Sequence, residues 1–324
     1  MKKNIFRFII SAISVLLVFI LVEQLYAFAV IPGCSYVRTQ MNDFYEAENI
    51  DLAFVGPSYV YRGVKPSLAD EKTNVSTFNL GTSSQKPVDS YYMIKEAYRV
   101  HKIKYVILDV SLDFYIESSY SSQNTSTYLI YDRMENSEVK NDYFMKAFEF
   151  NEYPKAFFKS SHYSVYRVSQ LTSNLKYKFS DDYKNYIAPS YWNEWYGGKG
   201  FVDSLGEYSG SDKISTINVK FIDENIEYLE KIIDFCKEND IKLIAVTSPK
   251  TADYLKQYPE YEKNMSKIDE LFKEKAIFYT DTNRTEEFGK YDNSCFMDIG
   301  HLNGKGAEIY SEYLSELIKS ECIG

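Results

Sequence analysis

The chain has 324 residues, enough for one large α/β domain or about two smaller ones. With hydrophobic residues at 45%, charged residues at 26%, and only 14 Gly and 8 Pro, it is neither wholly disordered nor collagen-like or low-complexity. Its 37 Lys and Arg against 46 Asp and Glu leave a net charge of −9, which excludes a general nucleic-acid binder, because neutralising phosphates needs a basic face. The 31 Tyr and 21 Phe suit a sugar-stacking surface and a Tyr-rich core alike.

Lys2, Lys3 and Arg7 precede an apolar run from Phe8 to Val22; Glu23 and Gln24 interrupt it, and Leu25 to Ile31 is apolar again. Counted from Ile5, with Arg7 snorkelling, the run reaches the length of a bilayer span, about 20 residues. Positive charge at the N-terminus keeps that end in the cytoplasm and sends the rest outside. The expected organisation is a cytoplasmic stub and single-pass transmembrane signal anchor over residues 1–31, then a juxtamembrane linker over 32–49. The rival is a cleaved signal peptide, since Ala27-Phe28-Ala29 resembles a small-residue cleavage site. Ile31-Pro32-Gly33-Cys34 is a weak echo of a lipoprotein site. The four cysteines, Cys34, Cys236, Cys295 and Cys322, form no CxxC pair and allow three pairings. Cys236 falls on the apolar side of a helix as a buried thiol, and Cys295 with Cys322 is the candidate bridge. With three His and no zinc spacing, no metal is expected.

Beyond the linker, Asp51 to Val55 is a short strand running into Gly56-Pro57-Ser58, and Thr77 to Leu80 is a second, ending at Gly81. Pro87 to Val100 has Tyr91, Ile94, Ala97 and Tyr98 on one helical face. Lys104 to Val110 is apolar almost throughout, as in a strand covered on both sides. Ile222, Ile226, Leu229, Ile232, Ile233 and Cys236 recur at helical spacing, and Ile241 to Thr247 is another buried strand. Thr251 to Phe272 is helical with a break at Pro259; Ala276 to Thr280 is the last strand, and the final helix runs from about Asn303 to Ile318. This alternation predicts a three-layer α/β domain over residues 50–324 around a parallel sheet, with its ligand site at the carboxyl ends of the strands. Residues from about 112 to 212 break the alternation. They are rich in Tyr, Ser, Asn and Phe, and hold Trp192 and Trp195. Two readings stand for them: a cap over the carboxyl-end face, or an irregular insertion that extends the core.

Three short segments carry candidate chemistry. Ser58, just past a strand where a helix begins, stands at the sheet edge with helix amides aimed at the same space. A hydroxyl there can attack a carbonyl, although a helix N-cap is the commoner use of such a Ser. Near the other end, Asp298-Ile299-Gly300-His301-Leu302 precedes the last helix. Imidazole is a base near neutrality, and a carboxylate three positions earlier can bend back to hold its tautomer. The third segment, Asn79-Leu80-Gly81, offers a bare N–H at Gly81 for an oxyanion, although a tight βα turn is the commoner reason for such a Gly. His101 reads as a surface residue at a polar helix end.

Taken together, these blocks resemble the SGNH/GDSL hydrolase superfamily, over the chain from about residue 50 to the end except the insertion. The carrying residues are Gly56-Pro57-Ser58, Asn79-Leu80-Gly81 and Asp298-x-x-His301-Leu302, in that order. The resemblance implies a flavodoxin-like sheet and serine-based acyl transfer without a cofactor. It implies Ser58 as nucleophile, His301 as base, Asp298 as its orienting acid, and the amides of Ser58 and Gly81 in the oxyanion hole. Two departures stand out. Pro57 occupies the place of the family's Asp before the Ser, and no Gly-x-Asn-Asp block follows the third strand. Ser111, in Asp109-Val110-Ser111, is the substitute donor considered there. An N-terminal anchor with a divergent middle block is similar to members that acylate cell-envelope polymers. These include teichoic-acid D-alanylation and polysaccharide O-acetylation proteins, which work beside a multi-pass membrane O-acyltransferase.

That likeness implies an extracytoplasmic serine acyltransferase or esterase acting on an envelope glycan or teichoic acid. The alternative is a noncatalytic scaffold for the membrane acyltransferase. Weaker substrate contacts are Asn79, Arg62 for an anionic polymer, Ser248 after the Ile241–Thr247 strand, and Trp192 and Trp195 for sugar stacking.

Overall fold

The computed structural model describes residues 2–33, 35–117, 125–163, 168–191, 193–210 and 213–323. Cys34 and Trp192 lie outside the described residues. The chain divides into two compact units, residues 1–35 with 148–188, and residues 36–147 with 189–324.

In the first unit, helix α1 (Lys2–Val30) is long and apolar enough to cross a membrane, and its apolar side chains from Ile5 to Val22 stand exposed.

The second unit opens with α2 (Tyr36–Glu46), in the stretch expected to be a linker. Val37, Met41 and Phe44 recur at helical spacing and are buried, so this segment belongs to the core. Its polar composition masked that: Arg38, Thr39 and Gln40 are buried too. His101, expected at the surface, donates from Nε2 to the Phe44 carbonyl at 2.7 Å and packs on the Phe44 ring, so it ties α2 down.

Then follow β1 (Leu52–Val55), α3 (Ser58–Gly63), α4 (Pro66–Thr73), β2 (Thr77–Asn79), α5 (Pro87–His101) and β3 (Tyr105–Asp109). Next come α6 (Thr125–Arg133) and α7 (Glu138–Ala147); the short helices α8 (Tyr153–Phe157) and α9 (Lys159–Tyr163), α10 (Val168–Lys178) and α11 (Asp181–Lys184) belong to the first unit. The second unit resumes with the hairpin β4 (Glu194–Gly198) and β5 (Phe201–Ser204), then α12 (Asp223–Glu238) and β6 (Lys242–Thr247). It closes with α13 (Ala252–Lys256), α14 (Tyr261–Glu274), β7 (Phe278–Asp281) and α15 (Gly304–Ile318).

The main sheet is parallel with strand order β2-β1-β3-β6-β7. Without the hairpin this is the doubly wound 2-1-3-4-5 order, as expected. Side chains alternate between two cores. Ala53, Val55, Val106, Leu108, Leu243 and Ala245 face α2, α5, α12 and α14; Leu52, Phe54, Ile107, Ile244 and Val246 face α3, α4 and α15. Both faces are covered, which is why the strands read as continuous apolar runs.

The insertion between β3 and α12 splits three ways. Helices α6 and α7 extend the core through Ile130, Met134 and Tyr143, whose hydroxyl donates to Asp89 at 2.6 Å. Residues 148–188 belong to the first unit. The hairpin docks on the end of β2, where the Asn79 amide donates to the Lys199 carbonyl at 2.9 Å. Gly200 (φ +84°) is required there, since a Cβ would overlap the Asn79 carbonyl. Cys295 and Cys322 are free thiols rather than a bridge, and Cys236 is buried as expected.

Candidate active site

The site lies at the carboxyl edge beside the β1/β3 switch in winding direction, where open sheets bind ligands. The turn after β1 is tight. Gly56 sits at φ +150°, and a Cβ on it would stand 2.8 Å from the Asp109 Cβ and from Val60 Cγ2, so only glycine lets β1 pass β3 this closely. Pro57 occupies the N-cap, and Ser58 is the first residue of α3. Its N–H is therefore one of those an α-helix leaves without an intrahelical acceptor.

The loop before α15 meets it. Ser58 Oγ lies 2.7 Å from His301 Nε2. His301 Nδ1 lies 2.9 Å from both carboxylate oxygens of Asp298. The bend is local: Asp298 Oδ1 also accepts the amides of Gly300 and His301, each at 2.9 Å. Burial pushes the Asp298 carboxyl up, but His301 and these amides outweigh it and hold the group down to about 2. Outside the loop, Thr251 Oγ1 donates to the Ile299 carbonyl at 2.7 Å, and Asn303 caps α15 by accepting the Gly306 amide at 3.1 Å. The Tyr59 ring lies 5.0 Å from the imidazole. Three residues separated by up to 243 positions thus form one hydrogen-bonded chain from hydroxyl to carboxylate. Ordered so, the imidazole can take a proton from the serine and the carboxylate can stabilise the resulting imidazolium.

The other expected site residues are used differently. Asn79 is fully buried and is no substrate contact: its Nδ2 donates to the carbonyls of Val60 and Val64 at 2.8 and 2.9 Å, closing the C-terminal end of α3. Its Oδ1 accepts the Gly81 amide at 3.0 Å, so the bare N–H expected for an oxyanion is already committed. Gly81 is needed for close approach instead, because a Cβ would come within 2.8 Å of the Tyr61 amide nitrogen. Gln40 pins the same loop from α2, donating to the Asn79 and Gly81 carbonyls at 2.8 Å each.

Arg62 is paired to Glu194 of the hairpin at 2.9 Å and also reaches Met297 Sδ, so it is not an open anion contact. Ser248 donates through its amide and its hydroxyl to Asp109 Oδ2 and is buried, which removes it from the substrate face. Trp195 is half-buried on β4. Ser111 Oγ is buried without a hydrogen-bond partner among the described residues, at the edge of the strand next to β1.

Sequence reasoning missed the floor beneath the imidazole. Tyr59 donates to Asp113 Oδ2 at 2.5 Å, and Tyr254 donates to the other oxygen of the same carboxylate. Lys250 Nζ is buried, stands 3.1 Å from the Tyr59 ring centroid and has no hydrogen-bond partner among the described residues. Burial pushes its ammonium down to about 8, against the pull of Asp109, Asp113, Asp281 and Asp298. Asp113 and Lys250 each follow the carboxyl end of a central strand. That position was the available signal, but it does not say which side chains turn inward.

A protein-family model matches residues 209–323, the segment holding Asp298 and His301. No curated protein matches the sequence. Among solved structures, the chain is similar to a GDSL-like lipase from Bacteroides thetaiotaomicron VPI-5482, with 10% identity, TM-score 0.41, and 89% of this chain and 98% of that one covered. It is also similar to a protein from Desulfitobacterium hafniense DCB-2 placed in the G-D-S-L lipolytic family, with 11% identity, TM-score 0.41, and 83% and 99% covered. At these values the likeness carries no argument about chemistry, which rests on the side chains themselves.

Proposed function

We propose that this chain is a membrane-anchored, extracytoplasmic serine acyltransferase or esterase of the SGNH type that acts on a hydroxylated cell-envelope polymer. The observation that carries this reading is the chain Ser58 Oγ, His301 Nε2, His301 Nδ1, Asp298, with contacts of 2.7 and 2.9 Å. Ser58 attacks the carbonyl carbon of an acyl ester and its proton passes to His301 Nε2. The carbonyl oxygen becomes an oxyanion facing the Ser58 amide. Collapse expels the alcohol, which takes the proton back from His301, and leaves an ester on Ser58. A polymer hydroxyl, deprotonated by the same imidazole, then takes the acyl group; where water enters instead, the outcome is hydrolysis. With Gly81 N–H committed to Asn79, the oxyanion has fewer ready donors than a full hole supplies, and one donor is worth about 3 kcal/mol. This favours slow turnover of soluble esters and transfer to a bound polymer. Helix α1 is the anchor in this reading, its basic end in the cytoplasm. A multi-pass membrane O-acyltransferase is the expected source of the acyl group.

The test is covalent labelling of the full chain by a fluorophosphonate, beside Ser58→Ala and His301→Ala. Labelling of the parent and of neither variant is expected. A folded parent that does not label, and whose Ser58→Ala variant still supports polymer acylation, would overturn the enzyme in favour of a scaffold.

A further inference from the structure

Residues 148–188 belong with α1 in one unit, and the contacts between them run along the C-terminal half of that helix. Glu23 is the first carboxylate after the apolar run. Its Oε1 accepts the Ser160 amide at 3.0 Å and its Oε2 accepts the Ser160 hydroxyl at 2.6 Å. Asn174 Nδ2 donates to the carbonyls of Ala29 and Ile31 at 2.6 and 2.8 Å, and its Oδ1 accepts the Gly33 amide at 2.7 Å. Lys178 donates to the Phe28 carbonyl. Two carbonyls of the last turn of α1, Phe28 and Ala29, which an isolated helix leaves unpaired, are thus satisfied by α10.

Two ring pairs fix the depth. Phe158 meets Phe19 at 5.5 Å and Phe179 meets Phe28 at 5.9 Å, both edge-on. At 1.5 Å per residue, Phe19 lies about 6 Å before Glu23 along α1, on the apolar side. A hydrocarbon core of about 30 Å counted from Ile5 ends near Leu25. The corner between α8 and α9 therefore reaches about 9 Å inside the hydrocarbon edge, the depth to which interfacial segments sink. The same segment exposes Phe150 (85%), Phe157 (72%), Phe179 (73%) and Ile187 (54%), beside Lys155, Lys159 and Lys176. Large apolar side chains next to lysines, at the depth of the headgroup boundary, have the composition of an interfacial segment.

We infer that residues 148–188 are a membrane-docking module. The module lies in the leaflet at the C-terminal end of α1, held to that helix by Glu23, Asn174 and Lys178, with Phe150, Phe157, Phe179 and Ile187 in lipid. This rests on the reading of α1 as a spanning anchor. The occupant is lipid rather than protein because Phe179 packs on Phe28, and Phe157 adjoins Phe158, which packs on Phe19, so both exposed rings are tied to levels of the helix that enters the bilayer.

The test uses the full chain in vesicles of phosphatidylcholine and phosphatidylglycerol. Trp192→Phe with Trp195→Phe removes the native reporters. Phe157→Trp, Phe179→Trp and, within α1, Leu16→Trp are then added singly. Lipid brominated near the headgroup is expected to quench the first two about twofold more than lipid brominated near the chain end, with the opposite order for Leu16→Trp. Phe157→Trp and Phe179→Trp that ignore brominated lipid but are quenched by iodide, while Leu16→Trp responds, would overturn the module and assign the surface to a protein partner. A Leu16→Trp that ignores both lipids would refute the spanning helix, and the module falls with it.

Discussion

The loop after β2 and the loop before α15 both stand at the carboxyl edge, and both carry a polar side chain within three residues of a glycine or histidine of interest. They use those side chains in opposite ways. Asn79 is fully buried, and its amide is spent on Val60, Val64 and Gly81, so nothing remains to meet a ligand. Asp298 keeps 47% of its side chain exposed and His301 20%, and their bonds end on a serine hydroxyl that retains lone pairs. A buried polar group whose bonds are all spent on the spot becomes structural; one at the surface of a cleft can hold part of its capacity for a reaction. The two loops depend on each other, since Asn79 closes the end of the helix that begins with Ser58.

The largest effect that separates them is on turnover. Ser58→Ala and His301→Ala should each lower ester turnover by about 10⁴-fold or more while leaving the melting temperature within a few degrees. Asp298→Asn should cost about 10³–10⁴-fold, through the wrong imidazole tautomer. It should also change the acid limb of stability. The folded carboxyl is held to about 2 against an ordinary 3.8, so its stabilisation is complete above 3.8 and is lost as pH falls towards 2. Urea midpoints across that window should fall less steeply in Asp298→Asn than in the parent.

Asn79→Ala should do the reverse. Two carbonyls lose their donor in a dry site, so unfolding should become about 2–4 kcal/mol easier, with fluorophosphonate labelling of the folded fraction retained within about tenfold. Loss of labelling at unchanged stability would make the loop after β2 chemical after all.

Lys250→Met gives the smallest expected shift. Burial lowers the folded ammonium to about 8 from an ordinary 10.5, so the unfolded chain binds that proton more tightly. Lys250 therefore destabilises the fold at neutral pH, and its contribution to stability rises as pH climbs from 8 to 10.5. The variant should be about 1–2 kcal/mol more stable at pH 7 and lose that rise, read by denaturant melts at both ends of the window.

Much of this arrangement was legible in the residues. The strands and helices of the sheet domain follow from apolar periodicity, and Ser58, Asp298 and His301 from their places at element ends. Helix α2 was not legible because Arg38, Thr39 and Gln40 are buried among its apolar positions and blur the stripe. The roles of Arg62 and Ser248 were misread for a related reason. Each finds its partner far away in the chain, Glu194 for one and Asp109 for the other. No local spacing encodes those pairings.

What the sequence determined by itself is whatever a period or an end signal encodes: an apolar helix at the N-terminus, a parallel sheet covered on both faces, and a carboxylate three residues before an imidazole. These are local, because backbone geometry maps spacing onto faces and turns. The tertiary structure alone decided which polar groups are used up and which remain open. It gave Asn79 to the carbonyls of α3, Ser248 to Asp109, and the exposed phenylalanines of residues 148–188 to the unit built on α1. Satisfaction of a buried hydrogen bond depends on who arrives within 3 Å, and that is a property of the packed chain rather than of any stretch of it.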